Sequence, residues 1–231
     1  MISVQGLSKK YKGVEVVSIP ELNIEKGESF GLVGNNGAGK TTFFRMILDL
    51  IRPSEGAVLS KEVAVNSTED WKFYTGSFLD ESFLIDYLTP EEYFDFLASL
   101  HNYSKGDLRE FLEQFEDLFN DEILGRNKYI RDLSKGNQKK VGIVSALMGE
   151  PEILILDEPF ANLDPTTQIR LKGLLKDLKE NKQLTMLISS HDLNHVTEVC
   201  ERIVVLEKGL IQEDIQTSES TLKDLEEYFT L

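Results

Sequence analysis

One run of nine residues constrains this chain more than any other: Gly34-Asn35-Asn36-Gly37-Ala38-Gly39-Lys40-Thr41-Thr42. It fits the pattern GxxxxGK[ST]. A β-type run, Ser29 to Val33, precedes it, and a helix-type run through Phe43, Phe44, Ile47 and Leu48 follows. That context matters, because the glycines let the backbone wrap with its N–H groups pointing inward while the helix N-terminus adds partial positive charge. The product is an anion cradle suited to the α- and β-phosphates of a nucleotide. Lys40 is placed to reach the β- and γ-phosphates, and the Thr41 hydroxyl to ligate Mg2+.

Such a loop needs a second strand that delivers a carboxylate to the metal. Ile153-Leu154-Ile155-Leu156 is a short, fully apolar run that ends in Asp157-Glu158-Pro159. Successive strand residues point to opposite sides, so Asp157 can face Mg2+ while Glu158 addresses another point. A water in line with the γ-phosphate would be oriented and deprotonated there. Alone, the pair could equally be two solvated acids before a proline turn. Its place 117 residues after Lys40 favours the catalytic reading.

Around these motifs the chain divides into three zones with no linker, repeat or low-complexity tract between them. Short β-type runs dominate up to about residue 66: Val14 to Ile19, Ser29 to Val33 and Val58 to Val65. From about 89 to 149 the pattern is helical. Leu108, Phe111, Leu112, Phe115, Leu118 and Phe119 follow i, i+3, i+4, i+7 spacing, and Pro90-Glu91-Glu92 reads as a helix start. Beyond 150, helices over 166–181 and 192–200 alternate with strands over 184–188 and 203–206, and Lys208-Gly209 marks a hairpin into 210–212. Apolar strands alternating with helices imply a parallel sheet covered on both faces. A last amphipathic stretch, 220–229, predicts a short packing helix.

Composition narrows the partners. With 40 acids against 25 bases the formal net charge is −15. A polyanion or an anionic lipid surface would be repelled, so neither nucleic acid nor direct membrane insertion is expected. Cys200 is the sole cysteine and falls on apolar spacing with Leu193, Val196 and Val199, which suits packing in a reducing compartment. No signal-peptide pattern opens the sequence and no apolar run approaches the ~20 residues that span a bilayer. Any membrane crossing would fall to another chain.

With these residues in view, the sequence resembles the nucleotide-binding domain of ABC (ATP-binding-cassette) proteins over roughly residues 1 to 213. Leu133-Ser134-Lys135-Gly136-Asn137 looks like the family signature LSGGQ, Ala161-Asn162-Leu163-Asp164 like its D-loop, and Ser189-Ser190-His191-Asp192 like its switch histidine, 34 residues after Asp157. Tyr11 stands where the family stacks an aromatic on adenine. The resemblance implies an α/β fold: a P-loop NTPase core with a mostly parallel sheet, an N-terminal antiparallel β subdomain and an inserted α-helical subdomain. It implies one domain over 1–231, with the core and β subdomain at about 1–88 and 150–213, the helical subdomain at about 89–149 and a short C-terminal helix at about 214–231. ATP and Mg2+ are the implied ligands. Lys40, Glu158 and His191 take the catalytic roles, Thr41 and Asp157 the metal. Ser134 and Gly136 would meet the γ-phosphate held by a second protomer, with Asp164 carrying the state of one site to the other.

Two positions depart from the family pattern. Asp80, within Gly76-Ser77-Phe78-Leu79-Asp80-Glu81, stands where a metal-touching glutamine is usual, and a carboxylate there can also ligand Mg2+. The signature carries Lys135 for its first glycine and Asn137 for its glutamine. The expectation is a cytoplasmic ATPase subunit, peripheral on the inner face of the cell membrane. It would drive transport, with export favoured by the looser signature and compact length, through a separate permease. Its partner ATPase would be a second copy or a related subunit. The alternatives are a soluble ABC ATPase and a non-catalytic, ATP-gated assembly module.

Overall fold

A computed structural model describes residues 1–230. It opens with two long strands, β1 (Ile2–Tyr11) and β2 (Val14–Ile24), then β3 (Ser29–Val33), α1 (Lys40–Ile47), β4 (Glu55–Ser60), β5 (Val63–Ala64) and β6 (Thr75–Phe78). Four helices follow: α2 (Pro90–Leu100), α3 (Lys105–Glu113), α4 (Glu116–Phe119) and α5 (Lys135–Ala146). The chain then alternates through β7 (Ile153–Asp157), α6 (Pro165–Lys182), β8 (Thr185–Ser190), α7 (Leu193–Val199), β9 (Arg202–Glu207) and β10 (Leu210–Gln216) to α8 (Thr221–Thr230).

Two sheets result. An antiparallel one runs β2-β1-β4-β5. The other runs β10-β9-β3-β8-β7-β6, parallel from β9 to β6 and antiparallel only at its β10 edge. This is the α/β phosphate-loop architecture expected from the sequence.

Strand β7 shows how the core is built. Every residue from Ile153 to Leu156 is buried, and their alternation sorts them: Ile153 and Ile155 join Phe30, Leu32, Phe43, Phe44 and Leu206 on one side. Leu154 and Leu156 face the helical side with Phe94, Val141, Leu171 and Val196. Burying each such side chain stabilises by about 1.5–3 kcal/mol. Close approach across the second layer needs small residues. A Cβ on Gly142 of α5 would lie 2.1 Å from the Phe78 ring of β6.

Several elements differ from the sequence reading. Strand β1 was not among the expected runs, because Gln5, Lys9 and Lys10 dilute its alternation; pairing on both edges, with β2 and β4, holds it. The run 58–65 is a hairpin, β4 and β5, turned by Lys61 and Glu62 at φ 48° and 68°. Strand β6, with the poor strand former Gly76, exists by pairing with β7. The single helix over 108–119 is two, α3 and α4, broken at Gln114 and Phe115, where Phe115 leaves helical geometry at φ −113° and ψ 11° while its ring stays 5.0 Å from that of Phe111. The hairpin at Lys208-Gly209 is present, both residues at positive φ as a tight two-residue turn demands, but β10 runs on to Gln216.

Candidate functional site

The phosphate loop leaves the C-terminal end of β3 and enters α1. Gly39, at φ 111°, caps the helix without a side-chain bond, so the first-turn N–H groups stay available to an anion. The loop is wedged from behind: a Cβ at Gly34 would meet the Leu206 carbonyl at 2.2 Å, and one at Gly39 the Val16 carbonyl at 2.8 Å. Asn35, Asn36 and Gly37 are exposed at the rim, Ala38 is buried, and Thr41 and Thr42 open α1 half-buried. Ala38 donates back to the Asn35 carbonyl at 3.0 Å and accepts from Gly209 N–H at 2.8 Å; the Gly209 carbonyl in turn accepts from Ser18 N–H of β2 at 2.7 Å.

Lys40, 6% exposed, donates to the Gly34 carbonyl at 2.6 Å, and its ammonium lies 3.3 Å from Glu158 Oε1. The other Glu158 oxygen meets His191 Nδ1 at 2.8 Å and accepts from the His191 N–H at 3.3 Å. Asp157, at the end of β7 and 4% exposed, accepts from the Thr41 hydroxyl and from the Ser189 hydroxyl of β8. Burial pushes the Asp157 carboxyl above its ordinary value, with those two hydroxyls and Lys40 pulling the other way. The motifs at 34–42, 157–158 and 191, far apart in sequence, thus meet at one end of the parallel sheet, where three neighbouring strands terminate.

Other sequence-predicted residues stand outside this cluster. Asp80 caps a short turn, accepting from Ser82 N–H at 2.8 Å, and lies 3.6 Å from Arg45. No hydrogen bond joins it to Thr41 or Asp157 among the described residues. Tyr11 ends β1 with its ring under the Lys9 ammonium, 5.0 Å away. Ser134 is the N-cap of α5 and accepts from Asn137 N–H at 3.2 Å. Gly136 lies in the first turn of α5, where a Cβ would stand 3.0 Å from the Asn162 carbonyl. Asp164 caps α6, accepting from the Thr167 N–H and hydroxyl, and these bonds hold its carboxyl below the ordinary value.

Two residues of the cluster escape sequence reasoning. Ser189, two residues before His191, donates to Asp157 and accepts from Glu158 N–H at 3.0 Å. The pairing of β7 with β8, which sets Asp157 opposite Ser189, is the signal that identifies it. Lys139, two residues past the signature, donates to the Glu158 carbonyl at 2.6 Å, and local sequence gives no hint of it.

A family profile described as ABC transporter matches residues 17–161, more than half of the chain. The chain belongs to the ABC transporter family. It is 37% identical over 209 residues to the ABC transporter ATP-binding protein YhaQ of Bacillus subtilis, covering 90% of this chain and 69% of that protein. It is 32% identical over 226 residues to the methionine import ATP-binding protein MetN 2 of Oceanobacillus iheyensis, covering 94% of this chain and 66% of that protein. Among solved structures, the dimeric ATP-binding cassette MJ0796, in a post-hydrolysis state with ADP and Pi, matches at TM-score 0.83 and 26% identity over 94% of this ABC protein and 99% of that chain. No described helix of this ABC protein is long and apolar enough to cross a membrane.

Proposed function

We propose that this chain is the ATP-binding and ATP-hydrolysing subunit of an ABC transporter, acting as a dimer, with a second copy or a related subunit, on a separate membrane permease. The observation that carries the reading is the convergence of Lys40, Glu158 and His191 beside the Thr41–Asp157 pair. The donor set suits Mg2+, which keeps several waters and takes one or two protein oxygens plus substrate phosphates. Thr41 and Asp157 would hold the ion, which when bound neutralises charge on the β- and γ-phosphates.

In this reading the loop N–H groups and Lys40 bind the triphosphate. Glu158 exchanges its contact with Lys40 for the attacking water, orients it and takes its proton. His191, already on Glu158, steadies the γ-phosphate side. Tyr11 supplies a face for the base. Ser134 and Gly136, at the N-terminus of α5, would approach the γ-phosphate of the opposite protomer, and Asp164 would sit between the two sites. Asp80 as a metal ligand would first have to leave Ser82 and Arg45.

A permease would dock beside α2–α5. Before those helices in the chain, around the end of α1 and β6, a hollow of about 310 Å3 is lined by Leu48, Leu50, Trp71, Leu79 and Phe83 together with Asp49, Lys72, Thr75 and Ser77, and Leu50 and Phe83 are half exposed, so a partner with a mixed apolar and polar contact would fit it. Such docking would hold the chain at the inner face of the membrane. Cargo contacts belong to the permease; the looser signature and compact length favour export, while one relative at 32% identity is named for methionine import.

The test is Glu158→Gln. ATP turnover should fall about 10²–10⁴-fold, while ATP holds the variant as a stable dimer in sizing chromatography. Turnover equal to wild type would remove Glu158 as the base. Absence of turnover in the unaltered protein would instead favour the ATP-gated assembly module.

A further inference from the structure

Lys139 is a charged side chain in an interior position. It is 5% exposed, in the second turn of α5, the helix that the signature Ser134 caps. Its ammonium donates to the main-chain carbonyl of Glu158 at 2.6 Å. Burying an ammonium costs several kcal/mol unless it is paired and hydrogen-bonded. Burial does pull the Lys139 pKa down, against the opposing pull of Glu81, Glu158 and Asp157 around it.

Glu158 itself needs holding. It sits at φ 49°, the left-handed region that non-glycine residues rarely occupy, at the sharp exit from β7. Its N–H is fixed by the Ser189 hydroxyl at 3.0 Å, and its carbonyl by Lys139 at 2.6 Å and, more weakly, by the Ala161 N–H at 3.2 Å. With both backbone polar groups clamped, the side chain projects toward Lys40 and His191.

We propose that Lys139 is a positioning residue for ATP hydrolysis, clamping the Glu158 carbonyl so that the Glu158 carboxylate faces the reacting water, and tying that carboxylate to the signature helix of the same chain. The inference rests on Glu158 being the base, as proposed above. Lys139 need touch neither nucleotide nor water. Its effect falls on the chemical step, and a shift of α5 is passed to Glu158 through one hydrogen bond.

The experiment measures kcat and KM for Mg-ATP on the full chain carrying K139M or K139R, each alone and combined with E158Q. K139M should lower kcat about tenfold to a hundredfold, as loss of a supporting contact typically does. KM and the affinity for a fluorescent ATP analogue should stay within about twofold of wild type. K139R, which keeps the cation and its donors, should retain more turnover than K139M. On the E158Q background K139M should cost nothing further, because the carboxylate it positions is gone. The proposal is overturned by wild-type kcat in K139M, by a KM that rises in step with the loss, by K139R no better than K139M, or by an undiminished K139M penalty on E158Q. Should K139M not fold, K139Q, which keeps an N–H donor on a shorter stem, is read by the same criteria. Normal kcat in K139M with E158Q inactive sinks the clamp alone, whereas an active E158Q sinks the base assignment.

Discussion

Asp157 is almost wholly buried, and its carboxyl is shifted upward chiefly for that reason. A carboxyl whose folded pKa exceeds its unfolded value makes the fold bind the extra proton. Stability is then greatest below the unfolded value, about 3.9 for Asp, and falls as pH rises through the folded one. Asp157→Asn keeps the shape and removes the charge. The nucleotide-free variant should therefore melt at a higher temperature than wild type at neutral pH, with the gain shrinking toward pH about 4, while ATP turnover is lost. Thermal melts at the two pH values check this, and a variant less stable at neutral pH contradicts it. Residues of this kind were legible where chemistry is written locally. Gly34 to Thr42, Asp157 and Glu158 announce themselves by order and spacing. Ser189 and Lys139 do not, because each acquires its role only when β8 or α5 is brought against β7. Asp80 was assigned to the metal by alignment, yet its carboxylate bonds Ser82 and approaches Arg45.

Among elements, those with strong apolar runs or capping signals were readable and those made by their neighbours were not. Strands β3, β7, β8 and β9 each centre on a short apolar run, and α2 begins at a capping box in which Thr89 and Glu92 exchange bonds. Strands β1 and β6 carry too many polar or small residues to stand out, and they are strands because a partner supplies the ladder. The α5–β6 contact gives the prediction at this scale. Gly142→Ala would drive a methyl to within 2.1 Å of the unshifted Phe78 ring, and relieving such overpacking costs about 1–3 kcal/mol. Urea denaturation should show a lower midpoint with an unchanged slope; an unchanged midpoint would mean that the ring moves aside freely.

For the whole molecule, the net charge of −15 bears on assembly. Two like-charged copies repel at long range, and salt screens that repulsion, the screening length falling from about 30 Å at 0.01 M to about 8 Å at 0.15 M. The ATP-held E158Q dimer should thus tighten as salt rises across that range, as read by analytical ultracentrifugation. Weakening with salt would instead point to attractive charges across the contact. The two sheets, finally, meet at Gly209. Its N–H holds the phosphate loop at Ala38 and its carbonyl holds β2 at Ser18, with no room for a side chain because the Val16 carbonyl would lie 2.4 Å from a Cβ. One residue is therefore a keystone shared by both sheets and the cradle. Displacing the antiparallel sheet would pull on the nucleotide's seat through the two hydrogen bonds of a single glycine.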